Sequence, residues 1–269
     1  MEQRICLNLA SLKHLDYESA LITAAKAGFP AVGLQEVPIE KYLASGRDLA
    51  GARAFLDSLG LAAPEINFFS DWIHARGKAR IAAFSRFARF CELATTLGPR
   101  IIIVTTGSEG TPDEALADEN YAELCHVAGE QGLVAALECV PWSAVKTIAD
   151  VWHMVERVNH PAAGIALDIF NIMKGGSRLD DIRAIPAEKI AIVHVNDLIE
   201  TGEDVMTLCR KRRVLPGEGR FPLREFIEDV RATGFDGWYA LEILNEKCPQ
   251  EDPDDIARLS FASMKALLG

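Results

Sequence analysis

Four ionisable residues interrupt four apolar stretches in the second half of the chain. Glu138 stands in LVAALECV, Asp168 in GIALDIF, His194 in KIAIVHVN and Glu242 in WYALEIL. Singly, each is most simply a surface carboxylate or a hydrogen-bonded core residue, but charges in buried strands are costly unless paired or bound to a metal. Three converging carboxylates would repel one another, and a divalent cation relieves that repulsion. Carboxylate oxygens with one imidazole suit Mn²⁺, Mg²⁺, Co²⁺ or Zn²⁺, so we predict one such ion.

These residues need a framework that brings the four stretches together, and short apolar runs do alternate with helical patterns along the chain. The predicted strands are Arg4–Ala10, Ala31–Gln35, Ala63–Asn67, Ile101–Thr105, Leu133–Val140, Gly164–Phe170, Lys189–Asn196 and Trp238–Leu244. The predicted helices are Tyr17–Ala27, Asp48–Leu59, Gly77–Leu97, Asp113–Glu130, Val145–Val158, Leu179–Ile185, Pro222–Ala232 and Asp254–Leu268. Parallel strands need crossover helices, and eight such units close into a (β/α)8 TIM barrel.

We therefore predict one α/β domain over residues 1–269, with its site at the carboxyl ends of the strands. A doubly wound open sheet is the alternative architecture. It usually has fewer units and a glycine-rich turn after the first strand, and LNLASLKH contains no such turn.

Composition narrows the class of protein further. The chain has 28 basic and 39 acidic residues and a net charge of −11, which argues against unaided nucleic-acid binding because that needs a basic surface. Six scattered cysteines without a CxxC pair indicate reduced thiols. The sequence has neither a signal-peptide apolar region nor an apolar run of membrane-spanning length. We predict a cytoplasmic protein without nucleic-acid or membrane partners, and homo-oligomerisation stays open.

The sequence resembles the xylose isomerase-like barrel family of sugar isomerases and epimerases. The resemblance rests on the four interruptions, on VHVND in the seventh strand, on RRVLPGEG in the loop after it and on GFDGWYALEI at the eighth strand. Within the family it is greatest to 2-keto-myo-inositol isomerase and its relatives. It implies a divalent metal bound by Glu138, Asp168, His194 and Glu242.

For the chemistry, the resemblance suggests that Glu138 and Glu242 are general bases that move a proton between carbons of a keto-sugar or keto-polyol, through an enediolate. Loss of a β-hydroxyl from the same enediolate would instead give dehydration of the inosose or 3-dehydroshikimate type. The chain could also be a barrel that binds a sugar without turning it over or, less in keeping with its charge, an endonuclease.

Two polar residues of the region after the seventh strand match positions beside the metal. Arg213 could anchor a substrate oxygen, or it could be a loop arginine paired with Asp204 or Glu218. Asp197 could orient the catalytic groups, or it could cap the following loop. We predict residues 198–215 as a long, charged loop.

Three further residues are candidates for substrate binding. Asn171 stands three residues after Asp168, where the family commonly has a histidine, which leaves the choice of substrate open. Lys174 precedes a Gly-Gly pair and could reach a substrate hydroxyl. Trp142 follows the fifth strand and could pack on a sugar ring, although packing alone is the simpler role for a tryptophan.

Overall fold

Eight parallel strands form the centre of the protein in a computed structural model that describes residues 4–107 and 110–269. The eight barrel strands are β1 (Ile5–Asn8), β2 (Ala31–Gln35), β3 (Glu65–Phe69), β4 (Ile101–Thr105), β5 (Val134–Glu138), β6 (Ala163–Asp168), β7 (Ile190–Val195) and β10 (Trp238–Leu241). Two further short strands are β8 (Asp197–Leu198) and β9 (Arg213–Val214). The barrel closes in the order β1-β10-β7-β6-β5-β4-β3-β2, while β8 and β9 form a separate antiparallel pair. The predicted single (β/α)8 barrel is confirmed. The predicted domain range also includes residues 1–3, 108 and 109, which lie outside the described part.

Helices occupy the connections between the strands. They are α1 (Tyr17–Lys26), α2 (Glu36–Ala44), α3 (Leu49–Ser58), α4 (Gly77–Leu97), α5 (Glu114–Gly129), α6 (Ile148–Val158), α7 (Ile169–Gly175), α8 (Val205–Lys211), α9 (Leu223–Ala232) and α10 (Pro253–Leu268). The sequence of α6 shows why such segments are helical. A reciprocal capping box between Thr147 and Asp150 starts it, Ile148, Val151 and Val155 form its buried stripe, and Asn159 ends it in the left-handed region.

The barrel interior has an apolar floor beneath a polar layer. The floor consists of Cys6, Ala31, Ile101, Ile103, Ala136, Ala166, Ile192 and Ala240. Alternate residues of a strand share a face, so the positions two residues beyond Ala136, Ala166, Ile192 and Ala240 point into the same interior. Those positions are Glu138, Asp168, His194 and Glu242. The fold therefore gathers the four predicted residues at one end of the barrel.

Several predicted boundaries are wrong. Strand six ends at Asp168 rather than Phe170, because the Asp168 carboxylate accepts a hydrogen bond from the Asn171 backbone N–H and starts α7. The predicted eighth strand corresponds to β10 and ends at Leu241 rather than Leu244, so Glu242 follows the strand instead of lying inside it. The segment predicted as a long loop, 198–215, contains α8 and β9. The short helix α2 was not predicted at all.

The sequence predicted reduced thiols and no membrane-spanning segment. All six cysteines are buried free thiols, in accordance with the absence of a CxxC pair. Within residues 4–107 and 110–269, no helix has the length and apolar character needed to cross a membrane.

Candidate metal centre and active site

Three side chains form a compact buried cluster at the carboxyl end of the barrel. Glu138 and Asp168 are the last residues of β5 and β6, and His194 of β7 is directly paired in register with Asp168. Each offers one ligand atom, and these atoms all lie within 4.8 Å of one another. Two carboxylates and an imidazole at this spacing are a ligand set for a divalent cation.

Of the two imidazole nitrogens of His194, one is within hydrogen-bond distance of a partner and the other is not. Its Nε2 lies 2.7 Å from Oε2 of Glu65, and its Nδ1 lies 3.7 Å from Oε1 of Glu138. Nδ1 is fully buried and has no hydrogen-bond partner within the described residues. A buried polar atom without a partner is costly, and a metal ion between Nδ1 and the two carboxylates would supply the partner. The residues present therefore fit the metal that the family resemblance implies.

Glu65 is a site residue that the sequence analysis missed. It is the first residue of β3 and is completely buried, inside a stretch that was predicted as an ordinary strand. The signal was available, because Glu65 is an ionisable residue in a buried strand like the four residues that were selected. In the predicted strand Ala63–Asn67 it stands two residues before the carboxyl end, as Glu138 does in its strand. The observed β3 begins at Glu65, so this residue does not belong to the carboxyl ends at which a barrel site is expected.

Arg213 lies inside the site and holds two of the carboxylates. Its Nη1 donates to Oδ2 of Asp168 at 2.9 Å and to Oε2 of Glu242 at 2.6 Å. Its guanidinium also lies 4.7 Å above the ring of Phe170, and its Nη2 donates to Sγ of Cys209. The pairing of Arg213 with Asp204 or Glu218 is wrong: the Asp204 carboxylate caps α8, and Glu218 accepts from a backbone N–H.

Glu242 stands apart from the three-residue cluster in this arrangement. Its carboxylate is paired with Arg213, and its side chain retains 14% of its exposure. It also lines a cavity of about 840 Å³ at the mouth of the barrel, a size suited to a small ligand. The same cavity is lined by Asn67 of β3, whose buried Nδ2 has no hydrogen-bond partner in the described structure. The lining of the cavity thus includes the Glu242 carboxylate and an unused amide donor.

Two asparagines support the cluster. Nδ2 of Asn171 donates to Oε1 of Glu138 at 3.1 Å, and its buried Oδ1 has no partner among the described residues. Nδ2 of Asn196 lies 3.3 Å from Oδ2 of Asp168. Asn171 therefore lies beside the candidate ligands and holds one oxygen of Glu138. Asn196 shares its strand face with His194, as the alternation of a strand requires.

The structure gives three other predicted site residues different partners. Asp197 accepts hydrogen bonds from the backbone N–H groups of Gly217, Gly219 and Phe221, at 2.9–3.0 Å. It therefore anchors the Pro-Gly-Glu-Gly loop. Lys174 forms an ion pair with Glu200. Trp142 packs against the apolar cluster of Phe170, Leu198, Leu208 and Cys209.

Burial and charge shift the pKa values of the cluster. Burial raises the pKa of Glu138, although the charge of His194, whose Nδ1 lies 3.7 Å away, acts in the opposite direction. Burial likewise raises the pKa of Glu242 to about 7, against the opposing charge of Arg213. For His194, burial lowers the pKa, but the charge and the hydrogen bond of Glu65 outweigh this effect and raise the pKa well above its usual value. Burial therefore raises the pKa of both carboxyl groups, Glu138 and Glu242, above the usual value of a glutamate.

Comparison with known proteins agrees with this fold. Residues 21–267 match the model of the xylose isomerase-like TIM barrel family. Because this match covers most of the chain, the protein belongs to that family, and the resemblance seen in the sequence is confirmed.

Individual relatives include a dehydratase and an isomerase. The chain is 30% identical over 225 residues to 3-dehydroshikimate dehydratase of Pseudomonas putida, which covers 82% of this chain and 35% of that protein. It is 28% identical over 168 residues to inosose isomerase of Bacillus subtilis, covering 59% of each. A solved structure named xylose isomerase-like TIM barrel/4-hydroxyphenylpyruvate dioxygenase fusion protein matches with a TM-score of 0.92 and 27% identity, over 99% of this chain and 43% of that one. The chain therefore spans about a third of the dehydratase relative's length.

Proposed function

We propose that this protein removes a proton from the carbon next to a ketone in a small polyhydroxylated substrate, with the help of a divalent metal ion. The observation that carries this proposal is the buried cluster of Glu138, Asp168 and His194, with the unpartnered Nδ1 of His194 facing the carboxylates. These three residues would hold the ion, and Glu242 is the fourth candidate ligand. When bound, the ion would polarise the substrate carbonyl and stabilise the charge that develops on its oxygen.

The two glutamates are suited to different parts of the proton transfer. Glu242 lines the open cavity, and its pKa of about 7 suits a group that must both accept and return a proton at neutral pH. Glu138 is more deeply buried and is held by Asn171. Arg213, which contacts Glu242, would supply a fixed positive charge beside the group that moves the proton.

Dehydration is the outcome that we favour. The carboxylate takes the proton from the α-carbon, the electron pair forms a carbon–carbon double bond, and the β-hydroxyl leaves as water after receiving a proton. With 3-dehydroshikimate, this reaction and a subsequent tautomerisation give 3,4-dihydroxybenzoate. From the sequence we expected isomerisation or epimerisation first. The likeness to 3-dehydroshikimate dehydratase, which extends over 82% of the chain, supports dehydration instead.

Isomerisation of a keto-polyol is the second candidate function. It is supported by the similarity to inosose isomerase and shares the first proton abstraction. In this case the proton returns to a neighbouring carbon and no water is lost. Either reaction needs the same metal and the same two glutamates.

The test combines metal analysis with product analysis. Wild type and His194→Ala are purified, loaded with Mn²⁺, Co²⁺ or Zn²⁺, and analysed for bound metal by elemental mass spectrometry. His126→Ala, which alters a solvent-exposed histidine, is the matched control. We expect stoichiometric metal in wild type and in the control, and its loss in His194→Ala.

The loaded proteins are then incubated in D₂O with 3-dehydroshikimate or 2-keto-myo-inositol and followed by NMR. Formation of 3,4-dihydroxybenzoate supports dehydration, whereas deuterium in an isomeric ketone supports isomerisation. If the wild type binds none of these metals, or if neither substrate exchanges its α-proton, the proposal is overturned.

A further inference from the structure

We propose that Glu65 is the positioning residue of the metal centre: it holds the imidazole of His194 from behind, so that Nδ1 presents its lone pair to the ion. This inference rests on the proposed metal-dependent function and deepens it. Glu65 and His194 come from opposite sides of the barrel, β3 and β7, and meet in its interior. The Glu65 carboxylate touches the ring nitrogen that points away from Glu138 and Asp168.

Burial of the Glu65 carboxylate is unfavourable in free energy, and hydrogen bonds to its two oxygens offset this penalty. The side chain has no solvent exposure, and an isolated buried carboxylate would be strongly destabilising. Its Oε1 accepts a hydrogen bond from Nδ2 of Asn8 at 2.9 Å, and its Oε2 lies 2.7 Å from Nε2 of His194. Each oxygen of the Glu65 carboxylate therefore has a partner inside the barrel.

The hydrogen-bond donors in this chain of contacts have only one consistent arrangement. Nε2 of Gln35 donates to Oδ1 of Asn8 at 2.8 Å, which leaves the Asn8 amide nitrogen to donate to Glu65. Glu65 as a carboxylate can only accept, so Nε2 of His194 must carry a proton. Nδ1 is then the nitrogen that is available to bind a metal.

Gly33 of β2 provides the room for this arrangement. A Cβ atom at residue 33 would stand 2.2 Å from Oε1 of Glu65, which no side chain could tolerate without displacing the carboxylate. The backbone of β2 at Gly33 therefore lies so close to the Glu65 carboxylate that only glycine fits there. A carboxylate that accepts from the second nitrogen of a ligating imidazole fixes the ring and increases its basicity, and its loss typically lowers metal affinity about 10–100-fold.

The decisive variant is Glu65→Gln, which keeps the size of the side chain and changes its hydrogen-bonding pattern. With Asn8 still donating to the amide oxygen, the amide nitrogen of the variant would face Nε2 of His194. Two donors would then oppose each other, and the imidazole would have to carry its proton on Nδ1. We expect the Kd for Zn²⁺, measured by calorimetric titration of the whole chain, to rise about 10–100-fold. The matched control is Asp229→Asn. Asp229 is another buried carboxylate, but it lies on α9, outside the barrel, and is paired with Arg183.

A spectroscopic readout separates positioning from a general loss of structure. In the Zn²⁺-loaded wild type, ¹⁵N–¹H correlation spectra of labelled histidine should show the His194 proton on Nε2 and the metal on Nδ1. Gly33→Ala is a second variant that leaves every ligand intact, and it should weaken Zn²⁺ binding in the same direction. Far-UV circular dichroism checks that each variant is folded.

Unchanged Zn²⁺ affinity in folded Glu65→Gln, or a metal-bound Nε2 in wild type, overturns this inference while leaving the proposed function intact. A wild type that binds no metal refutes the proposed function instead, so the two failures are distinguishable.

Discussion

Nη1 of Arg213 lies 2.6 Å from Oε2 of Glu242, and the same nitrogen contacts Asp168 at 2.9 Å. The guanidinium is thus a positive charge placed between two carboxylates that a divalent cation would also neutralise. Burial lowers the pKa of Arg213, but the charge of Asp168 outweighs this effect and raises the pKa well above its usual value. Arg213 therefore stays charged.

Replacement of Arg213 should make folding depend on the metal. In Arg213→Met, Asp168 and Glu242 would face each other without a cation, and removal of one partner from a buried ion pair typically costs about 3–5 kcal/mol. Added Mn²⁺ or Zn²⁺ should recover more stability in this variant than in wild type, measured by urea unfolding. Arg212→Met, which removes the neighbouring arginine and its exposed ion pairs, serves as the control. Equal metal-induced gains in wild type and Arg213→Met would contradict this expectation.

Metal should stabilise the wild-type protein in proportion to its occupancy. An ion that binds only the folded state adds about 2.7 kcal/mol at a concentration of 100 times its Kd. Thermal unfolding with increasing metal should therefore show a rising Tm, which chelation by EDTA reverses. Asp168→Asn should lose this response but remain folded, since asparagine is also a good N-cap for α7. Asp57→Asn, on the exposed face of α3, should respond like wild type.

Asp197→Asn should weaken the protein without weakening metal binding. The carboxylate accepts from three backbone N–H groups of the loop between β9 and α9, and an amide has only one oxygen to offer them. Hydrogen bonds to charged groups contribute about 1.5–3 kcal/mol each, so we expect a loss of about 2–3 kcal/mol in urea unfolding. Asp236→Asn, on the exposed turn before β10, is the control. A large drop in metal affinity would instead place Asp197 in the site, as the sequence suggested.

Glu203 should confer stability that disappears in acid. Hydrogen bonds from Arg212, at 2.5 and 2.8 Å, lower the pKa of this carboxyl to about 2. Because the folded pKa lies below the unfolded value of about 4.3, the contribution is complete above that value and is lost as the pH falls toward 2. Wild type should therefore be more stable than Glu203→Gln at pH 7, and the difference should shrink below pH 4. Glu188→Gln, at an exposed glutamate, should show no such pH-dependent difference.

The sequence was sufficient for the barrel because its signal is repeated along the chain. Each strand and crossover helix is recognisable locally, and the interruption of a buried strand by Glu138, Asp168 or His194 is visible without knowing its neighbours. Their gathering at one end follows from the parallel order of the strands alone.

What the sequence could not show depends on distant contacts. Glu65 and His194 are 129 residues apart in the chain, and nothing local marks them as partners. Arg213 was predicted in a loop, but the short β8–β9 pair and the Phe170 ring turn it inward. For Asp197 the family resemblance suggested a place beside the metal, and a cap of the following loop was the alternative. The structure shows the cap, but its backbone partners depend on the path of the chain after β7, which a sequence pattern does not reveal.

The contact between Glu65 and His194 also bears on how much of the barrel the metal centre requires. All four candidate ligands come from β5, β6, β7 and the end of β10. A half-barrel made only of these strands would contain every ligand but would lack the carboxylate that orients the imidazole. Because Glu65 lies on β3, on the opposite side of the barrel from β7, it reaches His194 only when the sheet has curved into a barrel. Completion of the candidate metal centre is therefore coupled to closure of the barrel.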